Sequence, residues 1–164
     1  MKAILCFGDS NTWGKRPEDG SRYEHHQRWT GILRQELGEE YCVIEEGLCG
    51  RTSVWDDPLG EFRNGKAFLG VCLESHRPLD LVVIMLGTNE TKRHFSLAPP
   101  DIARGAGLLV QMVKRSQAGR DGSAPRVLLV APPPLGTVPE TNDQFLGGRE
   151  KSLEFARLYR EVAA

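Results

Sequence analysis

The stretch Asp80-Leu81-Val82-Val83-Ile84-Met85-Leu86-Gly87-Thr88-Asn89 decides the fold. From Leu81 to Leu86 every residue is apolar, and Val82, Val83 and Ile84 are β-branched. Successive side chains of a strand point to opposite faces, so such a run needs cover on both faces of its sheet. Gly87 ends it. Three other runs read the same way. Residues 2–7 (KAILCF) stop at Gly8, residues 41–45 (YCVIE) form a short second strand, and residues 126–131 (RVLLVA) halt at Pro132-Pro133-Pro134.

Helical patterns separate these runs. Residues 28–38 place Trp29, Ile32, Leu33 and Leu37 on one face, with Gly38 as the stop. Residues 66–75 predict a short helix burying Phe68, Val71 and Cys72. Residues 101–117 repeat Ile102, Ala106, Leu109, Val110 and Val113 at helical spacing, weakened by Gly105 and Gly107. A last amphipathic helix is predicted over 149–163 through Leu153, Phe155, Ala156, Tyr159 and Val162. Loops are expected over 47–60, over 118–124 and between Pro134 and Arg149. Strands alternating with helices imply an α/β fold, with a parallel sheet joined by right-handed crossovers.

The 164 residues suffice for one domain, and no internal repeat or linker divides them. A net charge of -1 gives no electrostatic reason to expect nucleic acid or an anionic membrane as partner. No apolar run approaches the ~20 residues that span a bilayer. The N-terminal run passes straight into Gly8-Asp9-Ser10, so it reads as a strand rather than a signal peptide. Cys6, Cys42, Cys49 and Cys72 form no C-x-x-C pair and match no zinc spacing. They are expected to be reduced thiols in a cytoplasmic protein. No metal or cofactor is expected.

Ligands of open parallel sheets sit beyond the C-terminal strand ends. Three segments fall there: Gly8-Asp9-Ser10-Asn11, Gly47-Leu48-Cys49-Gly50 and Gly87-Thr88-Asn89-Glu90. Ser10 follows a buried strand closely enough to be held on the rim, where a helical turn would aim N–H groups at a negative charge. Taken alone, Ser10 is equally an N-cap, Asn89 an Asx-turn residue and Gly50 a loop glycine. Taken together, they supply a nucleophile and donors for one oxyanion: the Ser10 and Gly50 N–H groups and the Asn89 amide.

With these residues the chain resembles the SGNH, or GDSL, hydrolase superfamily. The first block stands as Phe7-Gly8-Asp9-Ser10-Asn11-Thr12-Trp13-Gly14, the second as Glu46-Gly47-Leu48-Cys49-Gly50-Arg51-Thr52, and the third as Leu86-Gly87-Thr88-Asn89. Arg28-Trp29-Thr30-Gly31 and Pro132-Pro133-Pro134-Leu135 bring it nearest the small bacterial arylesterase and acyltransferase branch. The resemblance implies a flavodoxin-like three-layer α/β/α sandwich. It implies a serine esterase acting on small esters through an acyl-Ser10 intermediate, with Gly50 and Asn89 completing the oxyanion hole. Asp9 would orient the nucleophile turn, with Thr12 in support. Trp13 would line the acyl or alcohol pocket or else pack the rim. Acyl transfer to alcohols and a homo-oligomer are further implications of the branch.

Two features depart from the family pattern. Glu90 stands where the third block ordinarily ends in Asp, so its carboxylate reaches one methylene further. The family's closing Asp-x-x-His block is missing, since no Asp here has His three residues later. The resemblance therefore predicts a single domain, 1–164, truncated before a fifth edge strand, with the sheet order 2-1-3-4 lacking its fifth member. On the order of 30 further residues would carry that strand and the catalytic pair. Val127 to Val130 would then be an open apolar edge.

Among the histidines, His25 and His26 follow the nucleophile loop with no evident carboxylate, and His76 is expected away from the rim. His94, five residues past Asn89, is the one candidate for a surrogate base. A serine without a base is a poor nucleophile, so a non-catalytic binding module is the competing reading. A flavodoxin-like nucleotide binder is a third, and no G-x-G-x-x-G or Walker-type loop supports it.

Overall fold

The computed structural model describes residues 1–137 and 142–164. The loop expected between Pro134 and Arg149 therefore lies partly outside the described residues. Strands β1 (Lys2–Gly8), β2 (Tyr41–Gly47), β3 (Leu81–Met85) and β4 (Arg126–Leu129) form one parallel sheet in the order β2-β1-β3-β4. This is the order expected from the resemblance. Among the described residues β4 pairs only with β3, and Leu128 is half exposed on that edge.

Alternation along the central strands builds two cores. Leu5 and Phe7 of β1, with Val82 and Ile84 of β3, face α3 (Gly65–His76) and α4 (Pro99–Arg115). Ile4 and Cys6, with Val83, face α2 (Trp29–Leu37) through Trp29, Leu33 and Leu37. The sheet is thus covered on both faces, as its apolar strands require. Burying each such side chain contributes roughly 1.5–3 kcal/mol. Beside α2, an apolar groove of about 450 Å3 runs over Leu81, Val83, Leu128 and Val130.

Several predicted helix faces are corrected. Ile32 and Val71 are exposed, while Leu69 and Leu73 join Cys72 in the core. The last helix is two helices, α5 (Gly148–Leu153) and α6 (Phe155–Ala163), meeting at Glu154. Leu153 and Ala156 are exposed, and Leu158 is buried instead with Phe155 and Tyr159 against Ile102 and Ala106 of α4. Gly105 and Gly107 do not interrupt α4: Trp55 and Val162 occupy the space where their Cβ atoms would stand. The 118–124 loop is exposed except at Ala118 and Gly119.

In register, Gly8 lies opposite both Gly47 and Met85, so β1, β2 and β3 end level with one another. The loops that follow them share one rim. Among the described residues no helix is long and apolar enough to cross a membrane.

Candidate active site

Ser10 opens α1 (Ser10–Trp13), a single turn directly past β1. Its N–H belongs to the first helical turn, whose amides have no intrahelical partner. Asp9 caps the turn, accepting the Asn11 N–H at 2.9 Å and the Asn11 side-chain amide at 3.1 Å. That amide also donates to Thr88 Oγ1 at 3.3 Å, tying the turn at Ser10 to the loop after β3. Asp9 is fully buried, and burial pushes its carboxyl up to about 6 despite the Asn11 donors.

The loop after β2 is fastened to β1. Leu48 N–H donates to Gly8 O at 3.1 Å. The buried Arg51 guanidinium donates to Gly8 O at 3.0 Å and to Glu46 O, and stands 4.1 Å over the Phe7 ring. Gly50 turns the chain at φ +82°, a conformation that favours glycine. Its N–H donates to no protein acceptor among the described residues.

Asn89 is buried at the end of β3 and donates one side-chain N–H to Arg51 O at 3.0 Å. An amide carries two such donors, so one remains for a ligand. Glu90, the departure from the family pattern, is not displaced from the rim. It is fully buried and accepts the Ser53 N–H at 2.6 Å, and burial pushes its carboxyl up to about 7. Its extra methylene reaches the loop after β2. Below it, Tyr159 of α6 donates its hydroxyl to Leu86 O.

Ser10, Gly50 and Asn89 line one cleft of about 570 Å3. Cys49, Lys15, Arg63, Asp57, Lys92 and His94 share it. Another cavity, about 460 Å3, opens at the opposite strand ends beside Met1, His26 and Tyr41 and contains none of the rim residues. Asp9 and Thr12 lie buried behind the cleft. Trp13 is outside its lining, with Arg22 5.0 Å over the ring.

The histidines divide. His25 stands 3.8 Å from Glu45, a carboxylate the sequence reading did not anticipate. His76 bonds Glu46 at 2.9 Å. His94 lies 3.1 Å from Asp57, and both line the cleft. Asp57 has a nearly buried side chain. Burial works to raise its carboxyl, but the Leu59 N–H with Lys92 and His94 together hold it below the usual range. Asp57, Lys15, Lys92 and Arg63 went unnoticed in the sequence. The Asp-Pro turn at 57–58 was the one local signal, and it marks a loop rather than a site. Among the described residues no three His, Cys, Asp or Glu side chains are grouped to hold a metal.

The family model of the GDSL-like lipase/acylhydrolase family matches residues 6–164. A carbohydrate acetylesterase from Sinorhizobium meliloti is 47% identical, with a TM-score of 0.94, over 99% of this chain and 80% of that one. The native aryl esterase of M. smegmatis is 49% identical, with a TM-score of 0.93, again over 99% of this chain and 80% of that one. A lipase/acylhydrolase from Enterococcus faecalis, 20% identical over 99% of this chain and 71% of that one, shares the fold at a TM-score of 0.66. Among curated proteins none matches significantly.

Proposed function

The chain belongs to the GDSL-like lipase/acylhydrolase family and is a carboxylic ester hydrolase, and from that premise we propose that it cleaves small esters through an acyl-Ser10 intermediate. The observation that carries this reading is the meeting of Ser10, Gly50 and Asn89, from three separate strand ends, in one cleft.

Ser10 Oγ attacks the ester carbonyl carbon. The negative charge that develops on the carbonyl oxygen is received by the Ser10 and Gly50 N–H groups and the free amide N–H of Asn89. The tetrahedral intermediate collapses, the alcohol leaves with a proton, and water then releases the acid from Ser10. Asn11 and Arg51 position these donors, one by strapping the nucleophile turn to Thr88, the other by holding Asn89 at its carbonyl.

By family resemblance, the base that takes the Ser10 proton belongs to an Asp-x-x-His pair, and no Asp of this sequence has His three residues later. The same branch resemblance supports acyl transfer to alcohols as a second outcome, with an alcohol replacing water. It also supports a homo-oligomer. The unpaired thiols suit a reducing cytoplasm.

The test is labelling with a fluorophosphonate probe, followed by intact mass and p-nitrophenyl acetate turnover. One adduct on Ser10, with both adduct and turnover lost in Ser10→Ala, is expected. Turnover unchanged in Ser10→Ala would sink the reading.

A further inference from the structure

The cleft around Ser10 has an uneven charge. Its lining holds three permanent cations, Lys15, Arg63 and Lys92, and one carboxylate, Asp57. The chain as a whole carries -1, so this surplus is local. Asp57 is already engaged, with Lys92 at 3.5 Å, His94 at 3.1 Å and the Leu59 N–H at 2.9 Å. Its negative charge therefore offsets Lys92 and, among the described residues, leaves the other two cations uncompensated. Among the described residues neither Lys15 nor Arg63 has a carboxylate within 4.0 Å.

Arg63 lies directly beside the oxyanion donors. A Cβ built on Gly50 would stand 3.1 Å from its Nε and 3.9 Å from its Cζ. Arg63 is partly shielded from water and Lys15 is exposed. Both act electrostatically on Cys49, the residue before Gly50. A guanidinium beside Gly50 and an ammonium in the same lining therefore share the cleft with the point where the ester carbonyl would sit. Low-dielectric walls strengthen such a field, and an arginine fork matches a carboxylate in geometry.

Resting on the esterase reading above, we propose that Lys15 and Arg63 form an anion subsite beside the oxyanion hole, and that the preferred substrates are small esters carrying a carboxylate group. The two cations select the charged ester and draw it into the cleft. They take no part in bond breaking, so they are specificity residues.

The test uses 4-acetamidobenzoate, an amide analogue of an anionic acetyl ester, and the neutral 4-acetamidobenzamide, neither of which carries an ester. Binding of each to the full protein is measured by calorimetry in low and high salt. The carboxylate is expected to bind at least tenfold more tightly than the neutral amide. Its advantage shrinks in high salt and falls to within about twofold in Lys15→Gln/Arg63→Gln. Lys15→Gln alone, at an exposed position, reports on the subsite if the Arg63 substitution impairs folding, and a severalfold loss of preference is expected from it. Equal affinity of the two compounds, or a preference unchanged by these substitutions, overturns the subsite. Because this readout needs no turnover, it fails separately from the esterase reading, which rests on Ser10→Ala.

Discussion

Glu90, fully buried, accepts the Ser53 backbone N–H at 2.6 Å and so ties the loop after β3 to the loop after β2. Its second oxygen has no partner among the described residues. Burial is the main reason its carboxyl rises from 4.5 to about 7. Below about pH 4.5 the group is protonated whether folded or unfolded, and its burial carries no ionisation cost. Between 4.5 and about 7 the unfolded carboxyl ionises while the folded one holds its proton, so stability is lost as pH rises. Asp9, raised from 3.8 to about 6 chiefly by burial, acts with the same sign over a lower window. Glu90→Gln keeps an acceptor for Ser53 and removes the Glu90 share, on the order of 3 kcal/mol at about pH 8. The Tm of the wild type is expected to fall between about pH 5 and pH 8 more steeply than that of Glu90→Gln. Parallel curves would show that Glu90 does not titrate in this window.

Asn89→Ala removes the bond to Arg51 O together with the amide's second N–H, proposed above as an oxyanion donor. Loss of one oxyanion donor lowers kcat by roughly 100- to 1000-fold. A fall of that size in p-nitrophenyl acetate turnover, with a much smaller change in KM, is expected. A kcat within about threefold of wild type would remove Asn89 from the oxyanion hole.

At Gly47, an added Cβ would stand 2.2 Å from Trp13 N and 2.6 Å from Trp13 Cα, backbone atoms of the turn that carries Ser10. Gly47→Ala must push β2 and α1 apart, at a cost of roughly 1–3 kcal/mol by analogy with overpacked cores. A lower urea midpoint is expected together with slower fluorophosphonate labelling of Ser10, because the turn that moves carries Ser10. A wild-type midpoint would mean that the rim yields freely there.

Burial, with a smaller contribution from nearby carboxylates, pushes the Cys6 thiol up to about 12 and the Cys72 thiol up to about 11. Cys42 and Cys49 are half-buried, and Cys49 lines the cleft. Iodoacetamide at about pH 8 is expected to alkylate Cys42 and Cys49 in the folded protein and to spare Cys6 and Cys72 until denaturant is added. Peptide mapping by mass reads this directly. Modification of Cys49 should block the Ser10 probe, and Cys49→Ala should protect against that block. Early alkylation of Cys6 would contradict its place between β2 and β3 in the sheet.

Element types were legible in the chain because they follow from local chemistry. Val82, Val83 and Ile84 demanded a strand covered on both sides, and Gly8, Gly38 and Gly87 marked where elements stop. The three motif-bearing loops could be assigned to the strand ends, where parallel pairing sets them level. Which face each helix buries was less legible. At 3.6 residues per turn, neighbouring apolar rows differ little in a sequence, and the choice falls to the neighbouring element. Thus Val71 and Ile32 turned outward, while Leu69 and Leu158 turned in. The break at Glu154 was invisible for the same reason.

The charges in the cleft depended on tertiary structure throughout. Lys15, Asp57, Arg63, Lys92 and His94 come from three separate loops, and each but His94 reads alone as an ordinary solvated residue. By itself, then, the sequence determined a parallel α/β sheet with Ser10, Gly50 and Asn89 on its rim, since backbone pairing and hydrophobic burial act along the chain. Only the tertiary structure decided that Lys15 and Arg63, with no carboxylate partner among the described residues, line the same cleft as those residues. Coulomb interactions depend on distance in space, and sequence separation does not report it.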